Sequence, residues 1–247
     1  MLITYPRTAA EYQSLAAGLN ASVMQLIKDG RLKVSYKILF RHLVKKRASE
    51  NPAYLDELNR KAMGWFAANG RNNQPSQAIA YHHSGAVVLH GFTVEKFHYV
   101  KKADREVYKN ERTKEFNKIR PLYCKHLAES HRAELISAGL SNPEIDRMAE
   151  TGRPPDGYQV HHRYPLDDGG TNDFGNLILM RDDIEHRAVH GRFNPNELAV
   201  DTLTPGKGAT VAHLLPPADA KVYPNAASGY VSEKVSNHYF LEMLTDA

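Results

Sequence analysis

The stretch that decides the fold runs from Tyr158 to Arg192. It opens Tyr158-Gln159-Val160-His161-His162-Arg163-Tyr164-Pro165-Leu166 and turns through Asp167-Asp168-Gly169-Gly170-Thr171-Asn172-Asp173. It continues Phe174-Gly175-Asn176-Leu177-Ile178-Leu179-Met180 and ends Arg181-Asp182-Asp183-Ile184-Glu185-His186-Arg187-Ala188-Val189-His190-Gly191-Arg192. The second block is dense in turn formers, so it should join a strand ending near Leu166 to an apolar strand from Leu177 to Met180. The last block reads as a helix: Asp182 and Asp183 stand where a helix start favours acids, Ile184 and Val189 can face inward, and Gly191 is a stop. His186 and His190 then project from one face, one turn apart, and can bind a single metal ion. Side chains alternate along a strand, so His161 and His162 point to opposite faces. His161 is therefore free to arrive as a third ligand while its neighbour addresses a substrate. Three neutral imidazoles favour zinc, nickel, cobalt or manganese over magnesium, which prefers hard oxygen donors and its own waters.

An asparagine at the far side of the loop can hydrogen-bond backbone groups and lock the turn that presents the histidine pair. Asn176, immediately before the second strand, is the favoured residue for that post, and Asn172 is its competitor.

These residues together resemble the ββα-metal core of an HNH (His-Me finger) nuclease, and in particular the colicin and pyocin DNases and the HNH nucleases of bacterial polymorphic toxins. Such cores carry a tyrosine shortly before a double histidine, then an asparagine, then a His-x-x-x-His helix; here these are Tyr158, His161, His162, Asn176, His186 and His190. The resemblance implies that His161, His186 and His190 hold one divalent metal, that His162 is the general base, and that Asn176 braces it. Magnesium stays an option for activity. The implied reaction is hydrolysis of DNA phosphodiester bonds to 5′-phosphate and 3′-hydroxyl ends. Arg163, Arg187 and Arg192 are candidates for phosphate contacts. One departure is Gln159, where colicin-type cores have an acid. Another is Cys124, a lone cysteine, which leaves no means of building the paired-cysteine zinc site of many HNH proteins. The likeness is firm over residues 158–192 and looser upstream through residues 138–145 and downstream towards Val222-Tyr223-Pro224.

Composition sets outer bounds. The chain has 247 residues and a formal charge of +4, with a pI near 9.0, which suits a polyanionic ligand such as double-stranded DNA bound without strong sequence preference. A lone cysteine argues against a disulfide scaffold. No apolar run approaches the roughly 20 residues that span a membrane, and the first residues lack the pattern of a signal peptide. The expectation is a cytoplasmic protein in its producer that another machine delivers to the target-cell cytoplasm. The resemblance implies an antibacterial toxin with a cognate immunity protein as partner. A phage or restriction-associated endonuclease is the alternative setting, and a non-catalytic metal-stabilised module that binds DNA or protein is the alternative class.

The expected architecture is α+β, with an amino-terminal region over 1–100 of unknown role and a nuclease domain over 101–247 with its core at 157–192. Residues 8–47 read as helices, with Tyr36, Leu39, Phe40, Leu43 and Val44 as an apolar stripe and Lys45-Lys46-Arg47 as a solvated end. Asn51-Pro52 opens a further helix that stops at Gly70. Ala86 to Val100 switches to strands around a turn at His90-Gly91. Lys101 to Arg120 is a charged helix with Val107, Phe116 and Ile119 facing inward; Lys109, Arg112, Lys114, Lys118 and Arg120 make it a possible nucleic-acid flank. Pro121 starts or kinks the next segment. His82, His83, His90 and His98 lack ligand spacing and read as ordinary surface or core histidines. After Arg192, short strands and loops wrap the core.

Overall fold

The computed structural model describes residues 6–51, 77–82, 85–189, 203–235 and 241. Helix and sheet are mixed, as the α+β expectation required. The amino-terminal helices are α1 (Ala9–Ala17), α2 (Ala21–Lys28) and α3 (Tyr36–Glu50). α1 opens on a capping box in which Glu11 N donates to the Thr8 hydroxyl and Thr8 N donates to the Glu11 carboxylate, so two otherwise orphaned N–H groups are satisfied. The α3 stripe buries Leu39, Phe40 and Leu43. The helix expected between Pro52 and Gly70 lies outside the described residues.

Strands β1 (Gln77–His82), β2 (Gly85–His90) and β3 (Thr93–Val100) follow. The chain then winds through α4 (Arg105–Lys109), a π-helical turn at Asn110–Glu115, and α5 (Phe116–Ser130), and on through α6 (Arg132–Ser137) and α7 (Asn142–Thr151). Pro121 sits inside α5 and does not begin a segment. Its ring serves instead as a floor for the end of α7. Gly152 closes that helix at φ +67°, and a Cβ there would lie 2.8 Å from Pro121 Cβ, so the stop must be glycine for both reasons.

The hairpin of β4 (Tyr158–His162) and β5 (Leu177–Arg181) comes next. A π-turn at Asp182–His186 runs from its end into the short α8 (Arg187–Val189). β4 ends at His162 and not near Leu166: Arg163 N adds one last rung to Asn176 O at 2.8 Å, and from Tyr164 on the backbone bonds the Asn176 side chain and not a facing strand. The chain closes with β6 (Gly208–Leu215), β7 (Val222–Tyr223) and β8 (Ser232–Val235).

β5 is the organising strand. It pairs antiparallel with β4 and parallel with β7, and Leu177, Ile178, Leu179 and Met180 are all buried. A strand covered on both faces has no polar side, which is why this segment reads as an unbroken apolar run. Leu177 and Leu179 face a cluster built from α5 to α7, including Phe116, Tyr123, Leu127, Leu135, Ile145 and Met148. Ile178 and Met180 face a second cluster with Val87, Leu89, Phe92, Ala188, Val189 and Tyr223. Each of these full burials stabilises the fold by about 1.5–3 kcal/mol.

The second cluster revises the expected division at residue 100. β2 pairs with β8, and β3 pairs along its length with β6. Residues 85–100 therefore share sheets and a core with segments beyond 200, and the boundary between 100 and 101 cuts through both. Strand pairing joins segments more than a hundred residues apart, and no local pattern announces it.

Candidate functional site

Residues directly opposite in an antiparallel pair point to the same face. His161 lies opposite Ile178 and His162 opposite Leu177, so the two histidines take the two faces of the hairpin. His161 is buried and meets His186 edge-on, ring centroids 5.4 Å apart. His162 turns to α5, where its ring packs 4.5 Å from that of Phe116. Tyr123, further along α5, donates its hydroxyl to Leu177 O at 3.0 Å and ties that helix to the start of β5.

The loop between β4 and β5 is held from within by Asn176. Its Oδ1 accepts from Tyr164 N at 2.8 Å, and its Nδ2 donates to Tyr164 O at 3.0 Å and to Thr171 O at 2.8 Å. Gly170 allows the same closure: a Cβ there would lie 2.2 Å from Tyr164 O. Asn176 thus braces the backbone beside the histidine pair and does not touch the His162 ring. That contact is made by Asn172, whose Oδ1 lies 2.9 Å from His162 Nε2.

From outside, the loop is stapled to the chain before α5. Val100 N donates to Asp168 Oδ1 at 2.8 Å, Lys102 N to Asp167 O at 2.9 Å, and Arg105 forms a salt bridge with Asp167. Asn172 Nδ2 reaches Glu111 O at 3.3 Å.

On the other face Asp182 Oδ1 lies 3.0 Å from His186 Nδ1. A carboxylate only accepts, so it fixes Nδ1 as the protonated nitrogen and leaves Nε2 with its lone pair for a metal. Glu185, fully buried beside it, is gripped by Arg181 and by Ser232 of β8, which anchors the turn that carries His186. Burial pushes the His186 and His162 imidazoles below the ordinary histidine value. The bonds to Asp182 and Asn172 oppose this only in part, and Arg112 pushes both further down. Both shifts favour the neutral ring, the form that a ligand or a base uses.

His161 and His186 are the described donors that would hold a metal. Imidazoles backed by a carboxylate suit zinc, nickel, cobalt or manganese. His190 lies outside the described residues, and among the described residues no group of three His, Cys, Asp or Glu side chains is arranged to hold an ion.

The arginines divide. Arg163, expected at phosphate, is instead buried and donates to the carbonyls of Pro216, Pro217 and Ala220. Its guanidinium serves as an internal staple to the segment after β6, and His213 Nε2 donates to its carbonyl at 3.1 Å. Arg187 is exposed and rests 3.3 Å from Asp182 Oδ2. Arg192 lies outside the described residues. Arg112, which the sequence marks only as one charge of a basic flank, lies in the π-helical turn before α5, is exposed, and acts electrostatically on both His162 and His186. Of the earlier histidines, His90 is buried and faces Glu233 at 3.2 Å, and His98 is exposed.

Comparison with known proteins adds little to this geometry. No family model matches the chain, and no solved structure matches it. The chain is 37% identical over 101 residues to the uncharacterized protein YhhZ of Escherichia coli (strain K12), a match that covers 40% of this chain and 24% of that protein. The chain thus spans about a quarter of the length of that relative.

Proposed function

We propose that this chain is a metal-dependent endonuclease of the ββα-metal type that hydrolyses DNA phosphodiester bonds. The observation that carries the reading is the separation of two adjacent histidines by one strand step. His161 goes to His186 on one face, while His162, one residue on, keeps a nitrogen for chemistry on the other. A purely structural metal site has no use for the second ring.

In the proposed reaction His162 Nδ1 accepts a proton from water as the water oxygen bonds to phosphorus and the bond to the 3′ oxygen breaks. His161, His186 and His190 would hold the metal, which supplies charge stabilisation at the phosphoryl and departing oxygens. Asn176 keeps the loop from shifting. Among the described residues Arg112 and Arg187 are exposed cations that fit phosphate, and Arg163 is left out because its two terminal nitrogens are spent on buried carbonyls. The favoured setting is an antibacterial toxin matched by an immunity protein. Among the described residues no helix is long and apolar enough to cross a membrane.

The test is incubation of the purified chain with plasmid DNA in zinc, nickel, cobalt, manganese or magnesium. Cleavage should appear, stop in excess EDTA and return with added metal. A protein that binds metal yet cuts no DNA under any of these conditions overturns the reading and leaves the non-catalytic module in its place.

A further inference from the structure

We propose that Asn172 is the positioning residue of the His162 base, setting its tautomer and coupling it to the helical turn that carries Arg112. The inference rests on the nuclease reading above and deepens it. An amide oxygen accepts and never donates, so the contact between Asn172 Oδ1 and His162 Nε2 requires the proton on Nε2 and leaves the Nδ1 lone pair open. The orientation of the amide is set by its other end. Nδ2 donates to Glu111 O, and a flipped amide would place oxygen against that carbonyl, two acceptors facing each other.

The ring itself has little other support of this kind. Phe116 packs beside it at 4.5 Å and restricts its tilt, but an aromatic contact does not distinguish one ring nitrogen from the other. Asn176 is excluded from the role because its amide is saturated by the Tyr164 and Thr171 backbone. Asn172 links the base to the preceding helical turn through its side chain: one end on the ring, the other on the carbonyl next to Arg112. That bridge lands in a π-turn, where Glu111 O accepts from Phe116 N within the turn and from Asn172 Nδ2 on its second lone pair. A shift of the base towards or away from substrate is therefore tied to the backbone that carries Arg112, a cation that acts on the same ring.

The test uses the whole 247-residue chain, metal-free and with ¹⁵N-labelled histidine, and reads the His162 ring nitrogens by long-range ¹H–¹⁵N correlation. Wild type should show a protonated Nε2 and an unprotonated Nδ1. Asn172→Ala should give a mixture of tautomers, and Asn172→Asp, which keeps an acceptor for Nε2 but loses the donor to Glu111 O, should keep the proton on Nε2 while the link to the helical turn is lost. In plasmid cleavage Asn172→Ala should lower kcat about ten- to hundredfold with KM nearly unchanged, as loss of an orienting partner does. Should Asn172→Ala fail to fold, the Asp variant and the wild-type spectrum still decide the tautomer. A wild-type ring protonated on Nδ1, or an Asn172→Ala protein with the wild-type spectrum and the wild-type kcat, overturns the proposal. Wild type with the Nε2 proton but no cleavage in any metal supports the Asn172 contact and sinks the nuclease reading instead.

Discussion

The two faces of the β4–β5 hairpin are built by different means. On the face of His161 the supports are close in sequence: Asp182 to His186 and Arg181 to Glu185, each four residues apart on one turn. On the face of His162 they are remote: Phe116 from α5 and Asn172 bridging to Glu111. The first face is held by carboxylates and is suited to gripping a cation. The second is held by neutral groups that fix a ring without charging it. A metal ligand and a base have opposite needs, and one strand step delivers both.

The sharpest way to break this comparison is to remove each histidine in turn. His162→Ala should lower plasmid cleavage by about a hundredfold to ten-thousandfold, the usual loss with a general base, while metal content by elemental analysis stays at the wild-type level. His161→Ala should instead lose metal. If His162→Ala nicks plasmid at the wild-type rate under saturating metal, the two faces do not divide the work as described.

A smaller effect is expected from Asp182. Asp182→Ala frees the His186 ring to turn and should weaken metal binding about ten- to hundredfold, measured by competition with a chromophoric chelator. The spectrum of His162 should not move, since Asp182 acts on the other face. Equal disturbance of both rings would mean that the hairpin responds as one unit.

The smallest predicted effect concerns acid. Burial holds the His213 ring below the ordinary histidine value of about 6.5, against an opposing bond to the Arg163 carbonyl and the nearby Asp168 charge. The unfolded chain takes up this proton more readily than the folded one. Its contribution to stability is therefore full above that ordinary value and is lost as pH falls through the lower, folded-state one. His162 and His186 are depressed in the same direction and add to the same loss. Thermal unfolding from about pH 7.5 to pH 5.5 should show Tm falling, and His213→Gln should flatten that fall by at most about 1.4 kcal/mol per pH unit. A Gln variant with the wild-type pH slope would show that His213 titrates normally in the fold.

What could be read in advance follows the same division. The pairing of β4 with β5 was visible as a histidine-tipped strand, a Gly-Gly turn and an apolar run, and the acidic start of the His186 turn was visible as Asp182-Asp183. The place of Arg163 was not: beside two histidines an arginine reads as a phosphate contact, and only the fold shows Pro216, Pro217 and Ala220 closing over it. The ranking of Asn176 above Asn172 captured the residue that locks the loop but not the one that touches the ring. The boundary at residue 100 failed because β8 and β6 return to β2 and β3.

By itself, then, the sequence determined the things that depend on neighbours along the chain: which segments are strands or turns, which face of β4 each histidine takes, and which carboxylate lies one turn from His186. Periodicity and short-range hydrogen bonding are enough for these. Tertiary structure alone decided which arginine is spent inside the protein, which asparagine reaches the base, and how the strands after residue 200 complete sheets begun before residue 100. Those outcomes turn on contacts across tens to more than a hundred residues. Such contacts are set by which buried donors and acceptors must be satisfied once the two apolar clusters close on β5, and that requirement exists only in the folded chain.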